Sequence, residues 1–109
     1  MHSSKRKGDR SEREVETLLR DLLGYPVRRK LGAGRRDDQG DLEGVPETVI
    51  QVCAYSDIAR AIREKLPETA EQQQRAAATF AALFVRRRGG EYVVVMTPAM
   101  WATYVREAA

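Results

Sequence analysis

The sequence predicts one domain of the mixed α/β class, in which helices flank a β-sheet. Three observations carry that prediction: a helical pattern of apolar residues near the start, a β-branched run at residues 48–55, and a paired-glycine turn near the end. A chain of 109 residues is too short to divide into two pieces that each bury a useful core. We therefore expect a flexible basic tail at residues 1–8 and a single domain at residues 9–109.

The first half of the chain predicts a helix followed by short strands. From residue 10 apolar side chains recur at helical spacing, and Gly24 ends the run. These apolar residues are Val15, Leu18, Leu19, Leu22 and Leu23. We predict an extended segment at residues 25–29, a polar glycine-rich loop at residues 32–40 and a short strand at residues 41–44.

The second half predicts the centre of the sheet and its closing elements. Residues 48–55, TVIQVCAY, are β-branched and apolar, which is typical of a central strand. A helical region is expected over residues 56–82, with a break near Pro67. Strands at residues 83–87 and 91–97 are predicted to form a hairpin around Gly89-Gly90, and residues 98–109 a final helix.

Composition limits the class and the compartment. Apolar residues make up 42% of the chain and charged residues 32%, as in an ordinary globular protein. The chain contains no apolar run of the roughly 20 residues that cross a bilayer, and no apolar stretch follows its charged start. One cysteine, Cys53, excludes an internal disulfide and fits a reducing cytoplasm, and one histidine with one cysteine excludes the usual four-ligand zinc site. We expect a cytoplasmic protein, in the host cytoplasm if phage-encoded.

Charge is distributed unevenly along the chain. Residues 1–36 contain eleven Lys/Arg and five Asp/Glu, whereas residues 37–109 contain eight and eleven. Basic clusters at residues 28–30, 35–36 and 86–88 could surround one groove, which favours a nucleic acid as partner over a solvated basic face. With few aromatic residues, phosphate contact is a better expectation than base stacking.

The central strand contains the candidate chemistry. Alternation places Val49, Gln51 and Cys53 on one face, and Ile50 and Val52 on the other face, which we predict to be core. A polar Gln51 in such a strand is either a satisfied amide or a cleft residue. Asp41 is likewise either a turn aspartate or a site carboxylate. Cys53 alone is more often a small buried apolar residue than a nucleophile.

Taken together, several motifs resemble the archaeal-type Holliday-junction resolvases and their phage-encoded relatives. These proteins belong to the PD-(D/E)xK nuclease superfamily. The resemblance covers residues 5–105. It rests on the K-G-x-x-x-E-R-E start at residues 7–14, the Gly40-Asp41 strand and TVIQVCAY. It implies a restriction-endonuclease-like mixed sheet, DNA recombination, and a Mg²⁺- or Mn²⁺-dependent endodeoxyribonuclease.

The resemblance also implies roles for individual residues. Glu12 and Asp41 match the helix glutamate and the strand aspartate that bind the cation, and Arg13 matches the adjacent basic residue. Gln51 and the Val52 carbonyl would complete the metal ligands, so the implied catalytic set is Glu12, Asp41, Gln51 and Cys53. The expected DNA contacts are the basic side chains Lys5, Arg6, Lys7, Arg10, Arg13, Arg35 and Arg36.

The sequence departs from the family where the acid and the lysine of the catalytic strand should stand. Gln51 replaces the acid and Cys53 replaces the lysine. A neutral amide binds a divalent cation more weakly, and a thiol provides no fixed positive charge. Replacements could come from the following helix, whose candidates are the cations Arg60, Arg63 and Lys65 and the acids Glu64, Glu68 and Glu71.

Three functions therefore stay open. The first is a structure-selective endonuclease with weak or lost activity, and the second is an inactive nuclease-fold protein that binds branched or duplex DNA. The third is an interaction module that inhibits a host factor through Met96, Met100, Trp101 and Tyr104, although packing of the last helix explains these residues more simply. The resemblance implies a homodimer, because a four-way junction needs two symmetric cuts.

Overall fold

The computed structural model describes residues 2–30 and 40–109, and side chains for residues 8–30 and 40–109. The loop predicted at residues 32–40 therefore lies, apart from Gly40, outside the described residues. In chain order the elements are α1 (His2–Leu23), β1 (Arg28–Arg29), β2 (Leu42–Glu43), β3 (Thr48–Cys53), α2 (Ile58–Ala76), β4 (Phe80–Arg86), a short 3₁₀ turn (Arg88–Gly90), β5 (Tyr92–Val95) and α3 (Pro98–Ala108).

The strands form one mixed sheet with the order β1-β2-β3-β4-β5. Strands β3 and β4 run parallel, with Thr48 opposite Phe80 and Cys53 opposite Val85. Each of the other neighbouring pairs in this sheet is antiparallel. The predicted mixed α/β class and the central position of β3 are confirmed.

Helices cover both faces of β3. On one face Val15 and Leu19 of α1 pack with Ile50 and with residues of β4. On the other face Cys53 packs with Ala61 of α2, again together with residues of β4. The expectation that one face of the strand forms the core is therefore too narrow, because Val49, Gln51 and Cys53 are also buried.

Helix α1 begins at His2, eight residues before the predicted start at residue 10. The residues expected to form a flexible tail are therefore helical from residue 2 onward. Residues 2–9 contain two serines, three lysines or arginines and no proline, and lysine and arginine are good helix formers. The pattern of apolar residues marks where α1 packs on the sheet, and it cannot reveal a polar extension of the same helix.

Helix α2 runs without a break from Ile58 to Ala76, and Pro67 lies inside it. The expected break is wrong: Pro67 is exposed, so the carbonyl group that it leaves unpaired can reach water. The helix ends at Ala77, whose left-handed backbone (φ 49°) donates its N–H to the preceding turn. Residues 80–82, predicted as helix, instead begin β4, which pairs with β3.

The closing elements agree with the prediction. Strands β4 and β5 form an antiparallel hairpin, and Thr97 caps α3 by accepting a hydrogen bond from the Met100 amide at 3.1 Å. Met100 is buried, and the Tyr104 ring stacks on Phe80 with 4.5 Å between ring centroids. Of the four side chains predicted to contact a host factor, Trp101 is the most exposed, at 62%. No helix in the described ranges has the length and apolarity needed to cross a membrane.

Candidate functional site

Asp41 is held against the central strand by backbone and side-chain hydrogen bonds. Its amide donates to the Ile50 carbonyl at 2.8 Å, and its own carbonyl accepts from the Lys30 amide at 2.9 Å. One carboxylate oxygen, Oδ2, accepts from the Val52 amide at 2.8 Å. Gly40 precedes it with φ +105°, and a Cβ there would lie 3.0 Å from the Ile50 carbonyl oxygen. A glycine at this position therefore lets Asp41 approach β3 closely.

Gln51 is a buried amide with both ends bonded to α2. Its Nε2 donates to Glu68 Oε1 at 2.7 Å, and its Oε1 accepts from the Thr69 hydroxyl. Thr69 is fully buried and Gln51 is 4% exposed. Of the two interpretations that the sequence leaves open for Gln51, these contacts correspond to the satisfied amide. They also bring Glu68 to the strand position where the resemblance expects an acid.

Lys65 lies one helical turn before Glu68 on the same side of α2. Its Nζ is 3.4 Å from Glu68 Oε2 and 5.8 Å from the centre of the Tyr55 ring. Burial by itself lowers the pKa of Lys65, but the charge and hydrogen bond of Glu68, together with Tyr55 and Cys53, outweigh it, so that the pKa of Lys65 is raised and the ammonium stays charged. Of the six replacement candidates on the helix, Glu68 contacts Gln51, and Lys65 contacts Glu68.

Cys53 completes this group as a neutral side chain. Burial raises the pKa of its thiol. A hydrogen bond with the Tyr55 backbone and the charges of Lys65 and Arg60 only partly oppose that rise, while Asp41 adds to it. The thiol is therefore protonated at neutral pH, which does not suit a nucleophile or a metal thiolate. We call the group of Asp41, Gln51, Cys53, Lys65 and Glu68 the β3–α2 site.

Glu12 makes its contacts elsewhere, on the α1 side of the sheet. Its Oε1 accepts from Arg29 Nε at 3.0 Å, and Arg29 Nη2 also binds Asp9 Oδ1 at 2.8 Å. A third carboxylate of α1, Glu16, accepts from the Arg29 amide. Burial raises the pKa of Glu12, and Arg29 opposes that rise. In this arrangement Glu12 ties α1 to β1, and its predicted role as a cation ligand stays a prediction.

The predicted DNA contacts are described only in part. The side chains of Lys5, Arg6, Lys7, Arg35 and Arg36 lie outside the described residues. Arg10 and Arg13 are both exposed, and Arg10 Nε is 3.3 Å from Glu14 Oε2. In the cluster at residues 28–30, Arg28 pairs with Glu43 at 2.9 Å and Arg29 with the carboxylates of α1. Those two arginines therefore have structural partners that the sequence could not reveal.

The donor chemistry of the β3–α2 site can be tested against a divalent cation. Across residues 8–30 and 40–109 no group of three or more His, Cys, Asp or Glu side chains is arranged to hold a metal ion. A Mg²⁺ site, however, commonly uses one or two carboxylates and takes its other ligands from water and substrate phosphates. Asp41 and Glu68 are carboxylates of that type, but Glu68 already accepts from Gln51 through Oε1 and from Lys65 through Oε2. A divalent cation would therefore have to be weakly held and to compete with these donors.

The comparisons with known proteins add no relative: no family model, no curated protein and no solved structure matches the chain.

Proposed function

We propose that the chain is a DNA-binding protein of the restriction-endonuclease-like class, directed at the phosphodiester backbone. Within that class we propose a resolvase-like, structure-selective endodeoxyribonuclease, because its motifs resemble the Holliday-junction resolvases. The observation that carries the proposal is the Lys65–Glu68 pair on α2, in which Glu68 accepts a hydrogen bond from Gln51 and Lys65 pairs with Glu68. That pair provides a cation and an acid beside a strand that has neither.

Each residue of the site has a distinct role in this proposal. The carboxylates of Asp41 and Glu68 would hold Mg²⁺ or Mn²⁺, which lowers the pKa of a bound water and neutralises phosphate charge. Lys65 would stabilise the negative charge that grows on the phosphate. Gln51 acts as a positioning residue, since its Nε2 fixes the Glu68 carboxylate at 2.7 Å. Cys53 has no role beyond packing.

The proposal predicts which single substitutions abolish cleavage. Nicking of a labelled four-way junction in Mg²⁺ or Mn²⁺ should fall by about two to three powers of ten in Lys65→Met, because removal of one positioned charge from a hydrolytic site commonly costs that much. Glu68→Gln should have a similar effect, while its amide oxygen can still accept from Gln51. The initial nicking rate is the measurement.

Matched controls lie on the same helix. Arg63→Met and Glu71→Gln change exposed residues of α2 by the same chemistry and should keep the wild-type rate. Asp41→Asn retains an oxygen for the Val52 amide and should also lose nicking. The proposal fails if the wild-type chain does not nick junction or duplex, or if Lys65→Met and Glu68→Gln nick as fast as the two controls.

A non-catalytic DNA binder is the second candidate, favoured by a specific observation. Oxygens that a cation would use already accept protein donors: Asp41 Oδ2 accepts from the Val52 amide, and Gln51 Oε1 accepts from Thr69. In this case DNA binding measured in EDTA would fall with salt, since each neutralised phosphate releases counterions. Binding of that kind without nicking in Mn²⁺ would select the second candidate over the first.

A further inference from the structure

A cleft lined by arginines opens beyond the end of the central strand. Its volume is about 180 Å³, and its floor includes Ala54, the residue after Cys53. The polar side chains that line it are Arg10, Ser11, Ser56, Arg86, Arg87 and Arg88. We call these six residues and Ala54 the arginine cleft. They come from α1, from the connection after β3, from the end of β4 and from the turn that follows it, and none belongs to the β3–α2 site.

The arginine cleft has more positive charge than its carboxylate partners neutralise. Glu14 pairs with both Arg10, at 3.3 Å, and Arg86, at 2.9 Å. Glu91 pairs with Arg87 at 3.1 Å. The cleft thus has four guanidinium groups, of which three pair with two carboxylates. Neither of these carboxylates lines the cleft. Within the described part of the chain Arg88 makes no ion pair, so at least one full positive charge is available to an anion.

The Arg86 guanidinium is held in place by contacts within the protein. Arg86 is held by the Glu14 carboxylate, which in turn accepts a hydrogen bond from the Tyr92 hydroxyl. That hydroxyl bond, followed by the arginine contacts, keeps the pKa of Glu14 below its ordinary value, so the carboxylate stays ionised. At Gly90 (φ +86°), a Cβ would lie 3.1 Å from Arg86 Nη2. The missing side chain at residue 90 therefore leaves space for this guanidinium.

The location of the cleft relates it to the β3–α2 site. Strands β3 and β4 are parallel, so their carboxyl ends meet at one edge of the sheet. Ligands of open α/β sheets commonly bind outside the carboxyl ends of the strands. Ala54 and Ser56 continue β3 past Cys53, and Arg86 ends β4. A polynucleotide that lies along this edge could contact both places.

We propose that the arginine cleft binds one phosphate of a DNA backbone, beside the β3–α2 site and independently of any metal ion. The inference takes DNA as the ligand from the proposed function, but it does not require cleavage. Arginine suits this role because its planar guanidinium group can make two parallel hydrogen bonds to phosphate oxygens. Arg88 provides the unpaired charge, and Arg86 provides a preset donor.

The test measures binding of a fluorescein-labelled duplex by anisotropy in EDTA, over a series of salt concentrations. Arg88→Gln should weaken binding and reduce the slope of log K against log salt by about 1, as expected for one lost phosphate contact. Arg106→Gln, which removes an exposed arginine of α3, is the matched control and should leave the slope unchanged. The midpoint of thermal unfolding should be the same in Arg88→Gln as in wild type, because Arg88 has no partner to lose within the described residues.

A second measurement addresses the cleft directly. Titration with inorganic phosphate, followed by NMR through the arginine Nε–H signals, should shift the Arg86 and Arg88 signals along one saturating curve. Arg86→Lys keeps the charge but loses the paired donors, and it should weaken phosphate binding. If Arg88→Gln binds duplex as tightly as Arg106→Gln, or if phosphate produces no saturable shift, the inference is wrong. Binding of phosphate by a chain that does not bind duplex would overturn the assignment to DNA.

The outcome separates this inference from the proposed nuclease. DNA binding that depends on Arg88, in a chain that never nicks, would refute the nuclease and support the cleft. Nicking that depends on Lys65, in a chain whose DNA affinity ignores Arg88, would refute the cleft and support the nuclease.

Discussion

Gln51 shows how one residue can have both structural and functional meaning. Its amide is buried between β3 and α2, and each end has a partner, Thr69 at Oε1 and Glu68 at Nε2. A buried polar group costs free energy unless it is paired, so these contacts specify how α2 lies on the sheet. The contact with Nε2 also positions the carboxylate of Glu68, which we propose binds a cation.

Replacement of Gln51 in β3 by an acid should therefore destabilise the folded chain. In Gln51→Glu a second carboxylate would face Glu68, and the donor at 2.7 Å would be lost. We expect a loss of about 1–3 kcal/mol in the free energy of unfolding at neutral pH, measured by urea denaturation. The pKa of the new carboxyl would be raised in the folded state, so the loss should shrink as the pH falls through that pKa.

Two comparisons make this prediction decisive. Gln74→Glu adds the same charge at an exposed position of α2 and should change stability little. If Mn²⁺ restores the stability of Gln51→Glu and leaves that of Gln74→Glu unchanged, the new carboxylate contributes to a cation site. A Gln51→Glu chain as stable as wild type at neutral pH without metal would contradict the contact described for Gln51.

The free energy of unfolding at alkaline pH depends in part on the protonation of the Tyr92 hydroxyl. Burial, followed by the hydrogen bond to Glu14, raises the pKa of Tyr92 from 10.0 to about 12. The folded state therefore holds this proton more tightly than the unfolded state, and the stabilisation is complete below pH 10 and lost as the pH rises towards 12. In Tyr92→Phe the fall of unfolding free energy across this interval should be shallower than in wild type.

The control for this prediction is Tyr25→Phe, because Tyr25 is 43% exposed. Burial also raises the pKa of Tyr104, so some alkaline loss should persist in Tyr92→Phe. Equal slopes in wild type and Tyr92→Phe between pH 10 and 12 would contradict the raised pKa of Tyr92, and with it the burial and the hydrogen bond to Glu14 that cause it.

At the scale of the elements, the sequence predicts well where a local pattern decides the structure. The central strand, the paired-glycine hairpin and the closing helix follow from residue types over short windows. The start of α1 and the continuity of α2 cannot be predicted from such short windows. A polar helical extension has no apolar periodicity, and Pro67 is tolerated because its exposed side of α2 admits water to the unpaired carbonyl.

The site was predictable in part for the same physical reason. Asp41 directly precedes β2, whereas Gln51 and Cys53 lie on β3, and strand alternation alone places those two on one face. Lys65 and Glu68 could be offered from sequence only as two of six candidates, because the rotation of α2 on the sheet depends on packing and on Thr69. The partners of Glu12 and Arg29 depend on how α1 lies across β1, which no local pattern contains.

Pro67 gives a direct test of α2. A proline inside a helix removes one backbone hydrogen bond and is about 3 kcal/mol less favourable than alanine there. Proline also restricts the unfolded chain, which offsets part of that cost. Pro67→Ala should therefore raise the free energy of unfolding by about 1–3 kcal/mol, measured by urea denaturation. Glu71→Ala is the exposed control, and a Pro67→Ala chain less stable than wild type would contradict an uninterrupted helix.

At the scale of the whole molecule, the sheet separates two kinds of contact. The α1 side holds carboxylates that pair with Arg29 and Arg86, and the α2 side holds the Lys65–Glu68 pair. The edge at the carboxyl ends of β3 and β4 lies beside the arginine cleft. Basic groups concentrated at one edge favour a ligand that spans several charges, which a DNA backbone does.

The resolvase-like proposal predicts the stoichiometry of the DNA complex. Two symmetric cuts in a four-way junction need two copies related by a two-fold axis. We expect two chains on each junction, measured by light scattering after size exclusion at low salt in EDTA. A linear duplex of equal mass is the control, and its complex should not be restricted to two chains per DNA molecule. One chain per junction at saturation would contradict the resolvase-like form of the proposal.

The division of the site between a strand and a helix constrains the short connection between them. Successive residues of an α-helix are rotated by about 100°, so the side of α2 that bears Lys65 and Glu68 faces β3 only in the present rotation of the helix. Insertion of one residue between Ser56 and Ile58 would rotate both away from β3 unless the helix slid to compensate. A loop of this kind would tolerate changes of residue type far better than changes of length.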